Sequence, residues 1–252
     1  QVAKANPSFP HRVPWESILR MRKILADDES FRREGLGIWD DDRDTARAIP
    51  EQRWTDTAVD HAPGTDPVYS VSFSIDGMRM ALAAAKLTEK NVFVEQLDDD
   101  AGALEDGMKR LATWFAEKDG NGAPRWRRSR GIFISGSSHA PTLAQLLRQA
   151  GVAQKWITVM NTPQVFAACQ MLDNELKAQT VEHPESGQER LDASVSIVMK
   201  EARGKQGAWA WAAFTPDGDE TPTEAISFAL WGARTTKLAA KKHAVGGGGA
   251  IL

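Results

Sequence analysis

Residues Val68 to Asp76 alternate strictly between apolar and polar positions, with Tyr69, Val71, Phe73 and Ile75 on one side and Ser70, Ser72, Ser74 and Asp76 on the other. A period of two predicts a β-strand with one buried face. The apolar runs Met80–Ala85 and Asn91–Leu97 predict two more strands, joined by a polar turn at Thr88–Lys90. Short connections make the three an antiparallel meander. Beyond them the period lengthens. Leu104, Met108, Leu111, Trp114 and Phe115 recur at helical spacing. Gly131–Ser135 reads as a buried parallel strand, Pro141–Gly151 as a short helix, and Trp156–Met160 as a short strand. Phe166, Cys169, Leu172 and Leu176 line a further helix, and Leu191, Val195 and Val198 begin another.

The last patterned unit runs from Gly207 to Gly232: a strand, a polar turn carrying Asp219, then a helix. Thr221, Pro222 and Glu224 have the spacing of a capping box with proline at the first helical position. Ala225, Ile226, Ala229 and Leu230 supply its apolar stripe. With Thr221 available as the cap, Asp219 is left free at a strand–helix junction, where it is either a metal ligand or general base, or a solvated turn acid. A meander followed by alternating helices and strands predicts an α/β fold: a mixed sheet with helices packed on it. Chemistry in such sheets gathers at the carboxyl ends of central strands. The ends in question are Ser72–Asp76, Ser135–Ser138 and Phe214–Asp219.

Upstream, Pro14 opens a helical arm carrying Trp15, Ile18, Leu19, Leu25 and Phe31, which ends near Gly35-Leu36-Gly37. The acids Asp40, Asp41, Asp42 and Asp44 follow, then a Pro-, Gly- and charge-bearing stretch to Asp66 that reads as a solvated linker. The expected division is an arm and linker over 1–66, a compact domain over 67–236 and a flexible tail over 237–252, the last containing Gly246–Gly249.

Composition narrows the chemistry. The 252 residues carry a net charge of −3, so nothing globally basic announces nucleic acid. One cysteine excludes an internal disulfide framework and a four-thiolate zinc site, and suits a reducing compartment. Cys169, on an apolar helical stripe, reads as a buried structural thiol. No apolar run reaches the roughly 20 residues that span a bilayer, and no secretion signal is seen. A cytosolic protein is expected.

No phosphate-binding GxxxxGK[ST], GxGxxG or complete nucleophile elbow occurs, and the five histidines lack zinc spacing. Oxygen chemistry remains. Carboxylates converging at strand ends hold hard cations such as Mg2+ or Mn2+, and a pair of such ions can stabilise both oxygens of a phosphodiester displacement. Asp76 and Asp219 have fitting positions, and Glu95 is on a strand of undetermined facing. Basic residues gather at Arg125, Arg127, Arg128 and Arg130 around Trp126, and again at Lys200, Arg203 and Lys205. Either group is a DNA-backbone contact or a solvated loop.

Several of these segments fall in a familiar order. Ala5-Asn6-Pro7 and Phe31 to Trp39, then His183, Leu191-Asp192-Ala193, Trp209-Ala210-Trp211, and Asp219 with Pro222 through Ala229-Leu230-Trp231 follow one another across residues 5–234. In this order the chain resembles the C-terminal nuclease portion of the large terminase subunit of tailed bacteriophages, especially those of actinobacterial hosts. The resemblance implies a ribonuclease H-like fold and a divalent-metal-dependent endonuclease that cuts concatemeric DNA during genome packaging in the host cytoplasm. It also implies double-stranded DNA, a motor domain, a small subunit and a portal or procapsid as partners. The family's motor lies upstream of this segment and has no counterpart here, so an isolated nuclease domain is expected.

The family's first acid falls at Ser72 in this sequence, its second at Ser135, and its third at Asp219. Asp76 shares the strand face of Ser72 about 13 Å farther along, at roughly 3.3 Å per residue. A neutral hydroxyl replaces a carboxylate poorly in holding two cations. Either the set is rebuilt from Asp76, Asp219, Asp217 or Glu95, with Ser72 and Ser135 lining the cleft, or cleavage by the isolated domain is weak. The other reading is a DNA-gripping or portal-docking module that keeps the fold without the cutting.

Overall fold

A computed structural model describes residues 11, 13–24, 31, 47–97, 104–135, 139–203 and 207–236. The acid cluster at 40–44, Ser137 and Ser138, Lys205 and the tail from Lys237 lie outside them. The chain divides into two compact units, Gln1–Arg47 and Ala48–Leu252. In the first, α1 (Trp15–Ile24) starts after Pro14, as the proline predicts, with Glu16 in its first turn and Arg22 and Lys23 in its last.

The second unit begins earlier than the sequence suggests. Residues 48–66 read as linker, yet Ile49 and Trp54 are buried in its core. Helix α2 (Glu51–Thr55) and strand β1 (Ala58–Val59) fall in the same stretch. The Trp54 indole stacks on His183 with 3.7 Å between centroids and gives its N–H to Asp192 at 2.8 Å. One large aromatic side chain thus holds an otherwise polar segment in place.

The meander appears as β2 (Val68–Phe73), β3 (Met80–Leu87) and β4 (Val92–Gln96). Helix α3 (Leu104–Ala116) leads through a 3-10 turn at Arg125–Arg128 to β5 (Gly131–Ile134). Then come α4 (Ala140–Gln149), β6 (Ile157–Val159) and α5 (Thr162–Lys177), the last opened by a full capping box between Asn161 and Gln164. Strand β7 (Val181–Pro184), α6 (Glu189–Ile197), β8 (Val198–Ala202), β9 (Trp209–Ala213) and α7 (Thr221–Thr235) complete the described elements.

Seven strands form one sheet in the order β1-β7-β4-β3-β2-β5-β6. Strand β3 runs antiparallel to its neighbours β2 and β4, and the other pairings are parallel. The expected strand at 207–214 does not join it. Strand β9 pairs only with β8 in a separate two-stranded sheet, so Asp219 follows a peripheral hairpin rather than a central strand. Helices cover both faces. Met108, Leu111 and Phe115 of α3 and Leu143 and Leu147 of α4 pack against Tyr69, Val71 and Ile134 on one side. On the other, α5, α6 and α7 enclose Val68, Ala83 and Phe133.

The serine face of β2 is covered as well. Ser70 and Ser72 are fully buried under α7, because small hydroxyl side chains let a helix sit close to the sheet and bond directly to it. Ser70 Oγ donates to the Ala225 carbonyl at 2.6 Å. Gly232 serves the same approach, since a Cβ there would lie 2.5 Å from the Phe133 ring and 2.7 Å from Val68. Cys169 is buried in this layer, and burial pushes its thiol up to about 12, in keeping with a structural role.

Candidate functional site

The parallel pairing of β2 with β5 sets Val71 opposite Ile134 and brings the Ser135 N–H to the Val71 carbonyl at 2.9 Å. Ser72, next to last in β2, and Ser135, the first residue past β5, therefore lie side by side, both buried. Neither can contribute charge there. The carboxylate that does reach this position comes from the helix above: Ser72 Oγ donates to Glu224 Oε2 at 2.7 Å. Burial raises the Glu224 carboxyl to about 7; the Ser72 bond and Arg203 oppose the rise, and Glu220 and Asp219 reinforce it.

Glu224 had been read as half of a capping box. In the structure α7 starts at Thr221 with Glu220 as its N-cap residue and no side-chain cap bond from it. The Thr221 hydroxyl is buried without a partner among the described residues. The Thr221 N–H is instead taken by Asp219 Oδ1 at 3.1 Å. Asp219, expected to be free, is the residue that satisfies the helix start.

Asp219 is also bound by two arginines. Arg190, in the first turn of α6, donates to its Oδ2 at 3.1 Å, and Arg79 Nη1 lies 3.8 Å from its Oδ1. Arg79 leaves the tight turn between β2 and β3 and is anchored by the Gly218 carbonyl at 2.7 Å. That turn is where Asp76 resides. Strand β2 ends at Phe73, so Asp76 does not continue the Ser72 face. Gly77 at φ 69° closes the turn, a conformation in which glycine carries no Cβ penalty. Asp76 Oδ1 accepts from Ser74 Oγ at 2.5 Å and the Met78 N–H at 2.9 Å, and these bonds hold its carboxyl below the usual carboxylate range. Its Oδ2 lies 3.9 Å from Arg79 Nη2. Asp76 and Asp219 thus meet across one guanidinium, an arrangement for two fixed anions and a fixed cation.

Asp217 is exposed in the turn before Asp219. Glu95 lies elsewhere: it pairs with Lys86 at 2.7 Å and lines a cavity of about 230 Å³ with Tyr69, Trp114, Arg125 and Arg128, on the sheet face opposite Glu224. Among the described residues no three His, Cys, Asp or Glu side chains converge as a metal site would need. A Mg2+ or Mn2+ ion at Asp219 would compete with two guanidinium groups already on that carboxylate. Among the described residues the donor set does not fit the two-ion site that the acids were expected to build.

Most of the predicted basic contacts are engaged internally. Arg125 pairs with Glu117 at 3.1 Å and lies 4.1 Å over Trp114; Arg128 pairs with Asp119 at 3.1 Å; Arg130 donates to the Thr236 carbonyl at 2.6 Å. Arg127 is exposed, 5.2 Å over the Trp126 ring. Lys200 joins Lys177 on the buried carboxylate of Asp173, and Arg203 pairs with Glu201. Arg79, Arg190 and Glu224 were missed. Local sequence offered one clue, an acid at 224 among positions that are otherwise apolar or small.

No protein-family model matches the sequence, and no curated protein matches it. Solved structures do. The HK97 bacteriophage large terminase aligns at a TM-score of 0.51 and 10% identity, over 91% of this chain and 53% of that one. The fold is the ribonuclease H-like fold of the large terminase nucleases. The chain spans about half the length of the HK97 protein. The large terminase nuclease of thermophilic phage G20c aligns at 0.46 with 12% identity, over 73% of this chain and 97% of that one. The human cytomegalovirus terminase nuclease domain aligns at 0.44 with 10% identity, over 73% and 94%. Among the described residues, no helix is long and apolar enough to cross a membrane.

Proposed function

We propose that this chain is the nuclease-fold portion of a tailed-phage large terminase and that it holds double-stranded DNA during genome packaging rather than cutting it by a two-ion route. The terminase assignment is supported by the fold and by the ordered segments from Ala5 to Trp231. The holding role is supported by one observation above all: serines stand near the ends of β2 and β5 while the third acid of the resemblance, Asp219, is paired with Arg190 and Arg79. The motor domain, small subunit and portal or procapsid are the partners this role calls for, in the cytoplasm of the infected host.

Metal-dependent endonuclease action is the second reading. Its support is that Asp76 and Asp219 flank a single side chain, so that withdrawal of Arg79 would leave two carboxylates facing each other. Mg2+ or Mn2+, if bound there, would supply activation of water at the phosphodiester. The proposed holding role is tested by fluorescence anisotropy of a mixed-sequence DNA duplex in EDTA across a series of KCl concentrations. Binding that weakens log-linearly with salt is expected. Absence of binding at low salt contradicts the role.

A further inference from the structure

We infer that Arg79 and Arg190 form a metal-independent binding site for DNA backbone phosphate, with Asp219 as the anion that orients them. The inference rests on the holding role and gives it a location.

The two guanidinium groups come from different elements, the β2–β3 turn and the first turn of α6, and converge on one carboxylate. Each is fixed along one edge. Arg79 Nη1 donates to the Gly218 carbonyl at 2.7 Å; Arg190 Nη2 donates to the Met80 carbonyl at 3.2 Å and to Asp219 at 3.1 Å. The Nε and Nη2 of Arg79, and the Nε and Nη1 of Arg190, have no hydrogen-bond partner among the described residues. They are not enclosed either, for the two side chains retain 34% and 26% of their exposure.

Charge points the same way. Of the two guanidinium cations only Arg190 is hydrogen-bonded to Asp219, at 3.1 Å, while Arg79 stands 3.8 Å from it as an ion pair. Asp76 lies 3.9 Å from Arg79, almost as near as Asp219 does, but is 55% exposed and screened by water. A planar fork with spare N–H donors, already held in place, suits the tetrahedral oxygens of a phosphodiester and spends little conformational freedom on binding it. Arg125, Arg128 and Arg130 are likewise each held by an internal acceptor, but by three different ones, so they do not converge on a shared anion. In the two-ion route Asp76 and Asp219 would hold metal ions that supply the positive charge; here Arg79 and Arg190 supply it.

The test uses the whole chain and a mixed-sequence duplex, by anisotropy in EDTA. The Arg79→Gln/Arg190→Gln pair is expected to bind at least about tenfold less tightly. Its log–log salt slope should shrink by roughly 1.8, two phosphate contacts at about 0.9 each. Arg127→Gln, on the exposed cluster, should change the slope by less than half that. The Arg79→Lys/Arg190→Lys pair keeps both charges and should hold the wild-type slope while losing affinity severalfold; it carries the test if the glutamine pair does not fold by near-ultraviolet circular dichroism. Wild-type affinity and slope in the glutamine pair overturn the inference and leave the holding role standing. No DNA binding by the wild-type chain overturns both. In parallel, Mn2+ titration followed by electron paramagnetic resonance should find no stoichiometric ion on the wild-type chain. A bound Mn2+ that is lost in Asp219→Ala would make the cleft a metal site and overturn the inference.

Discussion

Replacing Glu224 by glutamine removes one ionisation and little else, since the amide oxygen can still accept the Ser72 hydroxyl bond seen at 2.7 Å. The folded chain raises this carboxyl from its ordinary 4.5 to about 7, chiefly by burial. A group whose folded value is raised holds its proton more tightly when folded, so its contribution is fully present below pH 4.5 and is lost as pH rises towards 7. Spread over about 2.5 pH units at 1.36 kcal/mol each, the loss is on the order of 3 kcal/mol. Glutamine escapes it. Denaturant unfolding followed by tryptophan fluorescence, run from pH 4.5 to pH 8 on both proteins, measures the difference directly. The two stabilities should converge at the acid end, and the variant should become the more stable by about 2–3 kcal/mol near pH 8. A difference that does not change with pH, or one favouring the wild type at alkaline pH, would refute the placement of a desolvated acid on Ser72.

Gly232→Ala places a methyl group within 2.7 Å of both Phe133 and Val68, so a destabilisation of about 1–3 kcal/mol is expected. Differential scanning calorimetry should register it as a loss of several degrees in Tm, and an unchanged Tm contradicts the close seating of α7. Asp173→Asn removes the charge on which Lys177 and Lys200 converge at 2.7 and 2.6 Å. Burial alone would raise the Asp173 carboxyl, but the two lysine bonds outweigh it and hold it below its ordinary value. That stabilisation is present above the ordinary carboxylate pKa and disappears as pH falls through the lowered one. The variant should therefore lose about 1.5–3 kcal/mol in urea unfolding at pH 7 and little in strong acid, and an equal loss at both would count against the ion pair.

The alternation at Val68–Phe73 and the runs after it were enough to place the meander and the helices on both faces. Both depend on periodicity within single elements. What depends on distant partners was not legible. The Ser70–Ser72 face looks solvated until α7, some 150 residues later, is laid over it. Strand β1 is only two residues long, and the charges in β8 keep a period of two from standing out. Asp219 seemed free because its partners, Arg190 and Arg79, come from 29 residues away and from another turn of the fold. Glu224 was hidden by a capping-box spacing that is real in sequence but unused, since Asp219 takes the N–H first. In the Arg125–Arg130 cluster three of the four arginines are tied to acceptors that lie outside the cluster, which adjacency in sequence cannot show.

Supercoiled-plasmid nicking by the purified chain, followed over time with Mn2+, with Mg2+ and with EDTA, tests the central claim most directly. An Asp219→Ala protein prepared identically controls for contaminating nuclease. The account predicts the same low background in all three conditions and in the variant. Nicking that needs the metal and vanishes in Asp219→Ala would contradict it, and would mean that the arginines leave the cleft for the chemistry.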